Sequence, residues 1–120
     1  MNELNALEIK LLNGLFEKHP SLKSHIDYIK VSKRKNTSVG LIVSFEYEES
    51  DIEFSEINAL FSNGEIIEIK KLKKGLSYVI DVTAGRIEYL EFSTFEENWD
   101  GIFGEYMIND KIDYEKQYSV

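Results

Sequence analysis

Leu4, Leu7, Leu11, Leu12, Leu15 and Phe16 recur at helical spacing, while Glu3, Glu8, Lys10 and Glu17 fall mostly away from that stripe. The spacing predicts a helix over about residues 3–18. Asn2 is placed to cap it, Glu3 suits its positive end, and His19-Pro20 marks the stop. Beyond Pro20 the period shortens to two. Ile26, Tyr28 and Ile29 open a mixed run that ends at Val31, and "SKRKNTSVG" reads as a polar turn region. "LIVSFEY", from Leu41 to Tyr47, is dense in β-branched and aromatic residues and reads as a strand.

The segment "EESDIEFSEINALFSNG" admits two readings. It suits a short helix capped by Ser55, with Ile57, Leu60 and Phe61 inward and Gly64 as its stop, or else an edge strand. "EIIEIKKL" alternates cleanly, Ile67 and Ile69 one way, Glu68 and Lys70 the other. "LSYVIDV" and "RIEYLEF" form a hairpin about Ala84-Gly85. In a regular register Val82 pairs with Ile87, Ile80 with Tyr89, and Asp81 lies opposite Glu88, where like charges are mildly destabilising. The second strand is apolar on both sides, however: Ile87 and Tyr89 face one way, Leu90 and Phe92 the other. That irregularity implies a central strand covered on both faces, or a bulge. A last short strand near Tyr106 to Ile108 precedes a polar tail over about 109–120 that is expected to fray.

Together these elements define an α+β fold: an N-terminal helix packed on a single, mainly antiparallel β-sheet of about five to six strands spanning about 26–108. With 120 residues, one proline, and no repeat or linker, the chain is read as one domain, 1–120.

Composition narrows the function classes. There is no cysteine, which excludes disulfides, zinc–cysteine sites and thiol catalysis. The start of the chain lacks the basic residues and apolar run of a signal peptide, and no stretch approaches the roughly 18 apolar residues of a membrane span. The expected location is cytoplasmic. A formal charge of −8 argues against nucleic-acid binding and is compatible with a basic protein partner.

Chemistry-bearing motifs are sparse. His19 and His25 flank Pro20 with no HExxH or thiolate beside them, and His19 is better read as the polar end of the helix, where a cation suits the dipole. The serines form no nucleophile elbow, the glycines no phosphate loop, and "NDKID" no calcium loop. With 22 acidic residues, chance pairs such as Asp81/Glu88 are expected. The expectation is a non-enzymatic module with no catalytic residue, cofactor or metal.

Charge distribution is more informative. Glu46, Glu48, Glu49, Asp51, Glu53 and Glu56 fall within eleven residues, and Glu88, Glu91, Glu96, Glu97 and Asp100 form a second group around Phe95 and Trp99. Basic residues gather as Lys30, Lys33, Arg34 and Lys35, and as Lys70, Lys71, Lys73 and Lys74. If both basic runs lie at one end of the sheet, the molecule is electrically polarised. The acids read either as solvated strand ends that discourage edge pairing or as a docking face. In the docking reading Glu46, Glu48, Glu49, Asp51 and Glu53 form one partner-binding set. Glu96, Glu97 and Asp100 form the other, with Trp99 as anchor or, alternatively, as a core residue covering Phe92.

"GLSYVIDVTAGRIEYLEFSTFEENWDG", residues 75–101, resembles the C-terminal half of small acidic bacterial immunity proteins, the cognate inhibitors of polymorphic-toxin and contact-dependent growth-inhibition systems. The shared look is a hairpin of the form G-x-x-Y-x-I-x-V-x-x-G-x-I-x-x-L-E-F followed by an acidic segment with Trp. The resemblance implies a protein that binds a toxin domain, often a basic nuclease, and blocks its active site or substrate access. Two other classes stay open: an assembly subunit acting through self-association, and a small-ligand-binding domain.

Overall fold

The computed structural model describes residues 3–48 and 52–109. Helix α1, Ala6–Lys18, begins one turn later than the spacing suggested, because Asn5 and Glu8 form a capping box. The Glu8 N–H donates to Asn5 Oδ1 and the Asn5 N–H donates to Glu8 Oε1, both at 2.8 Å. Asn2, three residues before an Asn rather than a Glu, has no such partner in sequence and lies outside the described residues. His19 ends the helix with its N–H on the Leu15 carbonyl. Pro20, which suits a first helical turn, then opens a 3₁₀ helix over Pro20–Asp27 where the reading had placed extended chain. It buries Leu22 and His25.

Seven strands follow among the described residues: β1 Ile29–Asn36, β2 Gly40–Tyr47, β3 Ala59–Phe61, β4 Ile66–Ile69, β5 Leu76–Thr83, β6 Arg86–Thr94 and β7 Tyr106–Asn109. They form one antiparallel sheet in the order β1-β2-β6-β5-β4-β7, with β3 also paired to β5. The fold is α+β. β3 and β4 occupy successive stretches of one edge of β5, Phe61 opposite Ile80 and Ile67 opposite Leu76. Between them the chain turns through Gly64 at φ 79°, and the Asn63 N–H donates to the Tyr78 hydroxyl. The Tyr78 hydroxyl in turn donates to Glu65.

Two expectations are corrected here, and one choice left open is decided. "SKRKN" is not a turn: it belongs to β1, an edge strand whose outward positions are lysines and whose register slips at Ser32, between Val31 and Lys33. Of the two readings of the segment leading to Gly64, the described residues hold the strand, β3, and no helix. Residues 52–58 run without regular structure into β3, tied to the hairpin turn by the Gly85 N–H on the Ile57 carbonyl and the Ala84 N–H on Asn58 Oδ1. Asp81 does not face Glu88. Val82 pairs with Ile87 as expected, but Asp81 pairs with Tyr89 and Ile80 with Leu90, so Glu88 is the extra residue of a β-bulge. The bulge switches the alternation. Ile87, Leu90 and Phe92 all become buried, which explains a strand that looked apolar on both sides.

Ala84 and Gly85 both have positive φ, 49° and 77°, as a two-residue type I′ turn requires. Glycine is needed at the second position for space as well, since a Cβ there would stand 2.3 Å from the Ser55 carbonyl oxygen.

One face of the sheet carries the core. Val43, Leu90, Ile80 and Phe61 lie in one register row, and Leu41, Phe92 and Tyr78 in the next. Leu7, Leu11, Leu12, Leu15 and Phe16 of α1 belong to the same buried cluster. Arg34 shares this face at the edge, opposite Val43. Its guanidinium donates to Glu8 at 2.7 and 3.0 Å and to the Glu3 carbonyl at 3.1 Å. The Glu8 carboxylate is almost fully buried, with 2% of its side chain exposed against 32% for Arg34. One side chain thus caps the helix and clips it to the outermost strand.

Candidate docking surfaces

Strand direction sorts the charged groups onto two ends of the sheet. Where β2 and β5 finish and β6 begins lie Glu46, Glu48, Asp81 and Glu88, with Glu53 and Glu56 in the segment laid over the hairpin turn. Lys30 and Arg86 are the cations beside them. Lys30 bonds Glu48 at 2.5 Å, while Glu46, Glu53, Glu56 and Glu88 make no ion pair among the described residues. Glu49 and Asp51, also assigned to this set, lie outside the described residues.

Beneath this acidic end is an aromatic cluster that sequence reasoning missed. The rings of His25, Tyr47 and Phe54 meet edge to face at 5.1–5.7 Å, and the Arg86 guanidinium sits 4.7 Å from the Tyr47 centroid and 4.5 Å from that of Phe54. The Tyr47 hydroxyl accepts the Ile87 N–H at 2.9 Å and lies 2.7 Å from His25 Nδ1. Its remaining proton therefore suits a neutral His25 that accepts at Nδ1. Burial, then the Arg86 charge, hold His25 below the usual histidine value. The unfolded chain consequently takes up a proton at a higher pH than the folded one, and His25 contributes stability above about pH 6.5 that is lost as pH falls through its folded value. Thermal melts between pH 8 and pH 5 are expected to show this decline, and His25→Gln to flatten it.

At the opposite end the second acidic group is largely consumed within the molecule. Glu97 accepts the backbone N–H groups of Lys73 and Lys74 at 3.0 and 3.1 Å, which hold its carboxyl below the ordinary range. Asp100 accepts from Lys71 at 2.8 Å and from the Ile102 N–H at 3.0 Å, with the same effect. Glu96 is exposed, at φ 65°. Trp99 is not an exposed anchor: it is 4% accessible, its indole N–H donates to the Ile102 carbonyl, and its ring meets Phe103, which meets Phe92. Of the two readings of Trp99, the geometry is that of the core residue. The lysines of the 70–74 turn lie at this end, toward which Lys33 and Lys35 of β1 also run.

The sheet face away from α1 stays uncovered. Its register rows read Lys33, Ser44, Tyr89, Asp81, Leu60 and Lys35, Ile42, Glu91, Val79. Leu60 is 69% exposed, and the inner members of both rows are only half-buried. Partial burial, then the charges of Asp81 and Glu91, raise the Tyr89 hydroxyl. Among the described residues no three His, Cys, Asp or Glu side chains are grouped to hold a metal, and no helix is long and apolar enough to cross a membrane.

No family model, curated protein or solved structure matches this chain.

Proposed function

We propose that the protein is a binding module that neutralises a basic protein domain, in the manner of an immunity protein facing its cognate toxin, and that its acidic sheet end is the docking surface. The observation that carries this reading is the concentration at that end of carboxylates, Glu46, Glu53, Glu56 and Glu88, that make no ion pair among the described residues, while those of the opposite end are mostly bound to its own lysines and backbone. Unpaired carboxylates focus a negative potential that accelerates encounter with a basic surface and selects against acidic ones. A toxin domain that acts on nucleic acid carries such a basic surface, and occupying it excludes the substrate. The hairpin resemblance over 75–101 supports the same class.

The test is expression of the C-terminal domain encoded by the gene immediately upstream, with and without this protein. The expected result is toxicity relieved by co-expression, together with a tight 1:1 complex in calorimetry. A harmless neighbour that does not bind would overturn the reading. Within such a complex, Glu46→Lys with Glu53→Lys is expected to slow association about tenfold at low salt and to flatten its salt dependence. Glu97→Gln, whose carboxylate serves the 73–74 turn, should leave association unchanged.

A further inference from the structure

His25 is 3% exposed and sits where three pieces of chain meet. From β2, Tyr47 brings its hydroxyl to 2.7 Å from Nδ1. From the segment over the hairpin turn, Phe54 meets the imidazole edge to face at 5.7 Å. From β6, Arg86 lays its guanidinium against the Tyr47 and Phe54 rings. The segment is held unevenly. Its far end is anchored, with the Ile57 carbonyl accepting the Gly85 N–H at 2.8 Å and Asn58 Oδ1 accepting the Ala84 N–H at 2.9 Å. Ahead of that anchor, Glu53, Phe54 and Ser55 make no hydrogen bond among the described residues. The Phe54 ring contacts and the close approach of Ser55 to Gly85 are what seat them.

A proton on Nδ1 disturbs this seat twice. The Tyr47 hydroxyl oxygen already accepts the Ile87 N–H at 2.9 Å, so once Nδ1 donates as well, the hydroxyl proton must leave for another acceptor. The new charge is also buried, which disfavours it. Around it stand Lys23 and Asp27 on its own 3₁₀ helix, Glu17 and Lys18 at the end of α1, and Glu46 and Glu48 of the β2 end. Glu53 and Glu56 belong to the segment, and Arg86 and Glu88 to β6. No carboxylate pairs with the imidazole among the described residues, and the charge that acts on it is the Arg86 cation. Tyr47 and Ile87 are fixed by strand pairing, whereas residues 53–56 have no regular structure and give way at least cost.

We infer that residues 53–56 form a strap latched by His25, seated while the imidazole is neutral and lifted when it is protonated, with Ile57 and Asn58 as the hinge. Lifting Phe54 admits water to both cations and weakens their repulsion. The lifted form leaves His25 nearer its ordinary value and the seated form holds it lower, so acid favours lifting. Between the two values the equilibrium moves by up to about tenfold per pH unit. Glu53 and Glu56 travel with the strap. Acid therefore withdraws them from the docking end, a consequence that rests on the proposed function, whereas the latch does not.

Nuclear magnetic resonance of the full chain alone, from pH 8 to pH 5, reads the latch. The Overhauser contacts of the Phe54 ring with His25 and Tyr47 are expected to fade below about pH 6.5, with the midpoint of the imidazole's own titration. The amide signals of 53–56 should move with them, while the cross-strand contacts of β5 with β6 persist. His25→Gln should keep its strap unchanged over the same range. Phe54 contacts that survive the His25 titration would overturn the inference. So would their loss only together with the β5–β6 contacts, which is unfolding, or an equal loss in His25→Gln, which places the switch on the carboxylates. A harmless upstream domain that does not bind would remove the consequence for docking and leave the latch to be judged on these spectra.

Discussion

Replacing Phe92 by Ala is expected to lower the unfolding free energy by about 4 kcal/mol, the range for removing a fully buried aromatic ring. Phe92 is 1% exposed and centrally placed, opposite Leu41 on one side and Tyr78 on the other. Its ring lies 5.0 Å from that of Phe103, at 76°, and Phe103 lies 5.0 Å from Trp99, at 81°. The loss therefore extends beyond one cavity. The link between β6 and β7 is seated on the sheet through this stack, with Trp99 also fixed by its N–H on the Ser38 carbonyl and by Asn36 Nδ2 on its own carbonyl. Chemical denaturation should give the stability change. Hydrogen exchange should show the Trp99 and Ile102 amides losing more protection than that change alone requires. A uniform decrease over the chain would mean that the stack does not hold the link.

The second large effect is expected at Arg34. Arg34→Met should cost about 3 kcal/mol in a urea titration, because it strands the buried Glu8 carboxylate without its cation. The capping bond from the Asn5 N–H remains, but one neutral donor does not replace a two-pronged guanidinium. Changing both residues, Glu8→Leu with Arg34→Leu, should recover more than half of the loss, since no charge is then left in the core. The helix cap removed with Glu8 limits the recovery by about 1 kcal/mol. If the double variant were no better than Arg34→Met, the cost would lie in packing of the arginine stem rather than in the ion pair.

These residues also show where sequence reasoning ends. Leu7, Leu11, Leu12, Leu15 and Phe16 gave the helix away because a period of 3.6 is carried by every one of them. Glu8 sat within the same helix yet read as surface, since nothing local announces a cation 26 positions later in the chain. β1 was hidden for a related reason: an edge strand keeps lysines on its outward face, and that composition is shared by loops. The Glu88 bulge was visible only as a contradiction, apolar residues on both sides of one strand, which admits more than one resolution. For the candidate surfaces, the acidic clusters were plain in the chain, but their fates were not. Glu97 and Asp100 are spent on a turn 23 to 29 residues away, while Glu46 and Glu53 make no ion pair among the described residues. The uncovered outer face was missed altogether, because its rows join residues from β1, β2, β6, β5 and β3 that only the pairing order brings together.

The pairing order also has a kinetic side. β1 with β2 and β5 with β6 are joined by turns of three and two residues, Thr37–Val39 and Ala84–Gly85, so these two hairpins can close within microseconds. β2 meets β6 only after the chain from Glu48 to Gly85 has been brought round. β7 meets β4 across the interval that contains β5 and β6, with Asn109 opposite Ile66. Closing the longer loops carries an entropy cost that the short turns avoid. The two hairpins are thus the natural first structures, their union through β2 and β6 creates the central sheet, and β7 docks last, on an edge strand that itself shares little register with β5.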